Sequence, residues 1–201
     1  MILPRVYPIL DTSRTIDPVE AAQAFCDGGA SLLQIRHKGA WTREVFAAAE
    51  RIAQFNVTLI INDRADISRL LGVGVHVGQT DLPPGETRAI VGPVPLGYST
   101  HNLEQLQASG GEPIDYVALG PIFGTLSKEN PDPVVGTDRL RELRPLARHP
   151  LVAIGGITRA NAAGVIEAGA DSVAVIGDMY PDPLTPVTLR NRMEEWRRLL
   201  R

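Results

Sequence analysis

The chain has little cysteine, few aromatics, no excess of positive charge and no long apolar run. Its 201 residues include one cysteine, Cys26. No intramolecular disulfide can form, so nothing requires an oxidising compartment. Cys26 falls on a helical stretch before a glycine stop and is expected to be buried and inert. No segment approaches the ~20 consecutive apolar residues of a membrane span. The formal net charge is -3, which argues against a nucleic-acid or anionic-membrane partner. A local anion site stays open, since it needs only a few donors. Residues Met1 to Pro8 lack the basic start and long apolar core of a secretory signal, so a cytoplasmic location is expected. No G-x-G-x-x-G follows the first apolar run, which disfavours a dinucleotide-binding open sheet.

What is present is an ordinary globular composition, 44% hydrophobic and 21% charged, in which short apolar runs alternate with helical patterns. Strands are expected at Val6 to Leu10, Ser31 to Ile35, Val57 to Ile61, Gly74 to Val77, Pro95 to Ser99, Tyr116 to Leu119, Leu151 to Ile154 and Ser172 to Ile176. Helices are expected at Val19 to Cys26, Thr42 to Gln54, Ala65 to Leu71, Pro84 to Val91, Leu103 to Ser109, Asp138 to Arg148, Arg159 to Ala168 and Pro186 to Leu200. Asp17, Thr42 and Asn102 read as helix caps. The strands are continuous apolar runs, as expected when both faces of a parallel sheet are covered. Eight such alternations in roughly 200 residues match the lower size limit of a (β/α)8 TIM barrel. With no linker or composition shift, residues 1–201 read as one α/β domain.

The polar residues recur at one place, the C-terminal end of each strand. Gln34, Arg36 and Lys38 follow the second, Asn62 and Asp63 the third, Gln79 and Asp81 the fourth. Ser99 and His101 follow the fifth, and Thr125, Ser127 and Lys128 the sixth. In a barrel these ends share one mouth, where active sites are built. Asp63 and Asp81 come from neighbouring strands and could share a hard cation such as Mg2+; alternatively, Asp63 caps the next helix and pairs with Arg64. Arg36 and Lys38 supply charge for a polyphosphate, or are solvated rim residues. The long polar loop after Leu119 reads as a binding loop for a phosphate or as a plain surface loop. The turns at Gly155-Gly156 and Ile176-Gly177 lie where barrels commonly bind phosphate, although glycine is frequent in any turn. His76 reads as a packed histidine, and His37, His101 and His149 show no ligand spacing. Tyr98 and Phe123 could bound a heteroaromatic ring or simply pack.

Several pieces together resemble the thiamine phosphate synthase family and its relative, the thiazole tautomerase. They are Gln34-Ile35-Arg36-His37-Lys38, Ile61-Asn62-Asp63, Gly74 through Asp81, Gly97-Tyr98-Ser99, Tyr116 through Lys128, Val135-Gly136 and Ala153 through Ile157. The resemblance implies a TIM barrel that joins hydroxymethylpyrimidine pyrophosphate to thiazole phosphate with Mg2+. By the same resemblance, Gln34, Arg36, Lys38, Asn62 and Lys128 contact the pyrimidine pyrophosphate, and Asp63 and Asp81 hold the metal. Ser99 would sit at the pyrimidine ring or its pyrophosphate, and Arg36, Ser99 and Lys128 would carry the catalytic roles. Thr125, Ser127, Gly156, Ile176 and Gly177 would hold the thiazole phosphate. The implied partners are these small molecules, and a homo-oligomer stays open. The chain departs from the family pattern at His37, where an acidic residue is common, at Ser127, where threonine is usual, and at Gly177, where serine is common. A metal-independent tautomerase and a non-catalytic phosphometabolite-binding protein are the alternatives. The tautomerase resemblance places a histidine where this chain has Pro121, which counts against the first.

Overall fold

The computed structural model describes residues 1–14, 17–124 and 132–201. Eight parallel strands close into a barrel in chain order. They are β1 (Val6–Asp11), β2 (Leu32–Arg36), β3 (Thr58–Asn62), β4 (Gly74–Val77), β5 (Leu96–Thr100), β6 (Tyr116–Leu119), β7 (Leu151–Ile154) and β8 (Ser172–Val175). The helices between and after them are α1 (Pro18–Asp27), α2 (Arg43–Ile52), α3 (Ala65–Leu71), α4 (Pro84–Val91), α5 (Leu103–Ala108), α6 (Gly136–Leu143), α7 (Ala162–Glu167) and α8 (Pro186–Leu199). Register runs unbroken round the ring, from Ile9 beside Gln34 to Pro8 beside Val175. Among the described residues, no helix is long and apolar enough to cross a membrane.

Two apolar layers hold the barrel together. Side chains alternate along each strand. One set, with Leu10, Leu33, Ile61, Val75, Val117 and Val173, faces the helices and forms the larger core. The other set fills the barrel itself, with Tyr7, Ile9, Leu32, Ile60, Tyr116, Ala118, Val152 and Ala174. Full burial of such side chains stabilises by roughly 1.5–3 kcal/mol each. Strands buried on both faces explain the near-continuous apolar runs of the sequence.

Helix starts follow the capping chemistry. The Asp17 carboxylate accepts from the backbone N–H groups of Val19 and Glu20, Thr42 from Val45, and Asn102 from Gln105. Thr185 and Thr188 form a reciprocal capping box at α8. Three helices are shorter than their sequence patterns suggest by more than one residue. The α2 pattern runs on to Gln54, but the helix ends at Ile52. The α6 segment starts at Gly136 and gives way at Arg144 to a 3-10 turn that contains Pro145, a residue with no N–H to continue an α-helix. Before α7, the Asn161 side chain accepts from the Thr158 N–H, which closes a turn and delays the helix to Ala162.

Backbone bonds beyond the strand ends shape the rim. Ile122 N–H donates to Ile154 O at 2.9 Å and Phe123 N–H to Gly155 O at 2.9 Å, extending the β6–β7 pairing toward the mouth. Val135 N–H bonds Pro121 O and Gly136 N–H bonds Ile122 O. The entry and exit of the long connection after β6 are thereby tied together.

Candidate active site

The inward-facing residues at the C-terminal ends of the strands meet over one small cavity of about 90 Å³. Its wall is polar on one side and apolar on the other. Gln34, Arg36, Asn62, His76 and Ser99 come from β2 to β5, while Ala118, Val152, Ile154, Ala174 and Ile176 come from β6 to β8 and the residue after it. The barrel therefore brings together four of the expected substrate-contacting residues on the polar side, with Ile176 opposite. Asn62 is 8% exposed, and its amide nitrogen has no hydrogen-bond partner. A buried donor without an acceptor is costly unless a ligand supplies one.

Arg36 is held in place by Asp11. Its guanidinium nitrogen lies 2.5 Å from Asp11 Oδ2. Asp11 in turn accepts from the backbone N–H and hydroxyl of Ser13. Burial works to raise the Asp11 carboxyl, but the Ser13 bonds and the Arg36 charge outweigh it and hold the group below the ordinary carboxylate value. Sequence reasoning did not place Asp11 in the site. The signal was available, since Asp11 is the polar residue ending the first strand, as Asn62 ends the third.

Asp63 and Asp81 converge on one point of the rim. Burial raises the Asp81 carboxyl above its ordinary value, and the neighbouring Asp63, by charge and by a shared hydrogen bond, raises it further. The Gly78 N–H, which donates to Asp81 Oδ2 at 2.7 Å, and the charge of Lys38 pull the other way. Lys38 Nζ lies 2.5 Å from Asp63 Oδ2, a cation set against the pair. Asp63 has a left-handed backbone, φ 65°, which aspartate tolerates better than most residues. The helix-cap alternative for Asp63 does not hold. The α3 cap position is Arg64, with no side-chain cap bond, and Arg64 pairs with Asp66. Among the described residues, no third histidine, cysteine or carboxylate completes a metal cluster. Two hard carboxylates from neighbouring strand ends are a donor set that fits Mg2+, an ion that takes one or two carboxylates and fills its remaining positions with water and phosphate oxygens.

The two glycine turns after β7 and β8 differ from each other. Gly156 has φ 65°, and a Cβ there would lie 2.5 Å from Gly124 O. This turn packs against the residue that precedes Thr125 and needs glycine on both counts. At Gly177, which opens a 3-10 turn after Ile176, a Cβ would meet nothing within 4 Å. Thr125, Ser127 and Lys128 lie outside the described residues.

Other candidates fall elsewhere. Tyr98 and Phe123 do not line the cavity; both pack against the helix-facing core. His37 is structural. Its Nε2 lies 3.0 Å from Ala40 O and its Nδ1 2.7 Å from the Thr12 hydroxyl. Cys26 is half-buried and not fully enclosed; burial and Asp27 push its thiol up to about 11, which keeps it protonated. His76 is more than a packed histidine. It stacks on Tyr116 and bonds both Tyr116 and Ser99. Burial pushes its ring down to about 4, so it is neutral at pH 7. Burial also raises the Tyr7 and Tyr116 hydroxyls well above their ordinary range.

A family model described as thiamine monophosphate synthase matches residues 6–179. The chain belongs to the thiamine monophosphate synthase family. Within the family, it is 48% identical to a thiamine-phosphate synthase of Koribacter versatilis, over 98% of this chain and 96% of that one. It is 39% identical to a thiamine-phosphate synthase of Chloroflexus aurantiacus, over 86% of this chain and 83% of that one. Its fold is similar to that of a solved thiamine phosphate pyrophosphorylase from Pyrococcus furiosus. The TM-score is 0.85 at 28% identity, covering 98% of this chain and 95% of that one.

Proposed function

We propose that this chain is a transferase that joins hydroxymethylpyrimidine pyrophosphate to thiazole phosphate, giving thiamine phosphate and pyrophosphate. Family membership supports the reaction class. The observation that carries the reading to this chain's own residues is the Asp63–Asp81–Lys38 cluster. It sits on the rim beside the cavity lined by Gln34, Arg36, Asn62 and Ser99.

The chemistry asks for charge placement more than for proton transfer. The bond between the pyrimidine methylene carbon and the pyrophosphate oxygen breaks, and its electron pair leaves with pyrophosphate. The thiazole nitrogen lone pair then forms the new carbon–nitrogen bond. That nitrogen loses no proton, so no general base is required. Arg36 and Lys38 meet the charge that grows on the departing oxygens, and Arg36 does so from a position fixed by Asp11. When bound at Asp63 and Asp81, Mg2+ supplies further positive charge to the pyrophosphate. The Asn62 amide donor binds an acceptor of the pyrimidine moiety. The apolar half of the cavity, at Ile154 and Ile176, gives the second ring a dry face, with its phosphate directed to the Gly156 and Gly177 turns. Holding both rings in contact supplies the orientation part of the rate enhancement. Lys128, Thr125 and Ser127 complete this reading from the sequence alone.

The test mixes purified protein with both substrates, with Mg2+ or with EDTA, and quantifies thiamine phosphate and pyrophosphate. Both products with Mg2+ and neither with EDTA support the reading. No product from folded protein under either condition overturns it.

A further inference from the structure

A line of hydrogen-bonded polar side chains crosses the barrel and forms part of the cavity wall. Gln34 Nε2 donates to the Tyr7 hydroxyl at 2.9 Å. The Tyr7 and Tyr116 hydroxyls are 3.1 Å apart. The Tyr116 hydroxyl lies 3.0 Å from His76 Nδ1, and His76 Nε2 lies 2.8 Å from Ser99 Oγ. Gln34, Tyr7, Tyr116 and His76 are all buried. A barrel built for stability alone would fill these positions with aliphatics, because buried polar groups cost free energy unless bonded. The sequence also makes room for the line. A Cβ on Gly97 would fall 2.4 Å from both His76 Nδ1 and the Tyr116 hydroxyl.

The line has a direction. Each hydroxyl carries one proton, and a neutral imidazole carries one on either nitrogen. Tyr7 accepts from the Gln34 amide, and Tyr116 is its one other hydrogen-bond partner among the described residues, so a buried O–H that must be satisfied is directed to Tyr116. Tyr116 then gives its proton to His76 Nδ1. With Nδ1 accepting, the ring proton sits on Nε2 and is donated to Ser99 Oγ. The Ser99 hydroxyl proton has no remaining partner along the line and faces the cavity.

We propose that Gln34, Tyr7, Tyr116 and His76 are positioning residues that fix the Ser99 hydroxyl as a hydrogen-bond donor to an acceptor atom of the bound pyrimidine pyrophosphate. This rests on the proposed function for the identity of the ligand. It adds a role for four side chains, of which the sequence reading took only Gln34 as a site residue. Reversal of the line would turn Ser99 into an acceptor, so the tautomer of His76 reads the direction.

Two measurements test it. The first is ring nitrogen NMR on 15N-histidine-labelled protein without substrates, with His76→Gln to assign the signal. A proton on Nε2 with bare Nδ1 is expected; the opposite tautomer overturns the proposal, whether or not the protein turns over. The second compares Tyr116→Phe in two backgrounds. In the native background, kcat/KM for the pyrimidine pyrophosphate should fall about tenfold, as for one or two lost hydrogen bonds. In a Ser99→Ala background, the same change should cost nothing further, because its effect runs through the hydroxyl already removed. An equal loss in both backgrounds marks a merely structural role and overturns the proposal. If Tyr116→Phe does not fold, Tyr7→Phe replaces it, since it withdraws the proton that commits Tyr116 to His76. Absence of turnover in the native protein with the expected tautomer counts against the proposed function and not against the line.

Discussion

Asp115 and Asp171 perform the same task on alternate strands at the end of the barrel opposite the mouth. Asp115 N–H donates to Leu96 O, and its carboxylate accepts from Leu96 N–H at 2.8 Å. Asp171 repeats both bonds with Leu151, the carboxylate contact being 2.7 Å. Each carboxylate also meets an arginine, Arg88 at 2.8 Å and Arg144 at 3.0 Å. These arginines bond backbone carbonyls nearby, Pro113 and Gly169 among them. The two ion pairs are partly exposed, so the charge term itself is small. The value of each aspartate lies in satisfying the first N–H of the strand it faces.

Asp171→Ala should therefore cost about 1–2 kcal/mol of stability, the range for a strand N–H left without its partner. Turnover per folded molecule should not change, because the mouth is at the other end. Denaturant melts and active-site-normalised kcat check this. A fall in kcat with no loss of stability would contradict the assignment to the barrel floor.

How much of this was legible beforehand follows from which forces are local. The spans of α3, β4, α4, β6 and β7 are marked by local signals, glycine and proline punctuation around uniform apolar runs. The start of α7 was not, because the bond between Asn161 and Thr158 is a side-chain contact that no periodicity encodes. Gln34, Arg36, Asn62 and Ser99 could be picked out because polar residues at the ends of apolar runs share one rim in a barrel. Tyr7 and Tyr116 could not, since a tyrosine inside an apolar run looks like packing. Only closure of β1 and β6 into one ring brings their hydroxyls 3.1 Å apart. Counting in twos back from Asp11 would have turned Tyr7 inward, but not shown its partner.

The two rim carboxylates should couple stability to Mg2+. The folded state raises the Asp81 carboxyl, through burial and then Asp63. A raised carboxylate destabilises the fold while ionised, so without metal the protein should gain from this site as pH falls toward the raised value. Asp81→Asn should then be at least as stable as the parent in EDTA at neutral pH. Mg2+ should stabilise the parent, by about 2.7 kcal/mol at a hundredfold excess over its Kd, and leave the variant unmoved. Thermal melts with and without Mg2+ decide this; an undiminished metal shift in Asp81→Asn would place the ion elsewhere.

Asp11 gives the opposite pH signature. Its folded carboxyl is held low, so its contribution is present above the ordinary carboxylate value of about 4 and is lost as pH falls below it. Asp11→Asn should lose about 1–3 kcal/mol at neutral pH, since the charge-assisted bond from Arg36 to Asp11 is lost. It should also show a flatter loss of stability below about pH 4 than the parent. Because the Asp11 hold on Arg36 is weakened, KM for the pyrimidine pyrophosphate should rise. A variant with parental KM would show that Arg36 finds its place without Asp11.

Gly177 offers a gain-of-function test where most substitutions only remove something. Its Cβ direction is open, so a serine can enter without displacing a neighbour, unlike any side chain at Gly156. A hydroxyl there adds one donor beside the turn proposed to bind the thiazole phosphate. One new hydrogen bond is worth about 1 kcal/mol, close to a fivefold change in affinity. Gly177→Ser should therefore lower KM for thiazole phosphate about fivefold while leaving KM for the pyrimidine pyrophosphate and thermal stability near the parent's. If KM for thiazole phosphate does not move in a folded, active variant, the phosphate does not sit at this turn. The roles assigned to Ile176 and Gly177 would then fall together, while those of Asp63, Asp81 and Lys38 would stand.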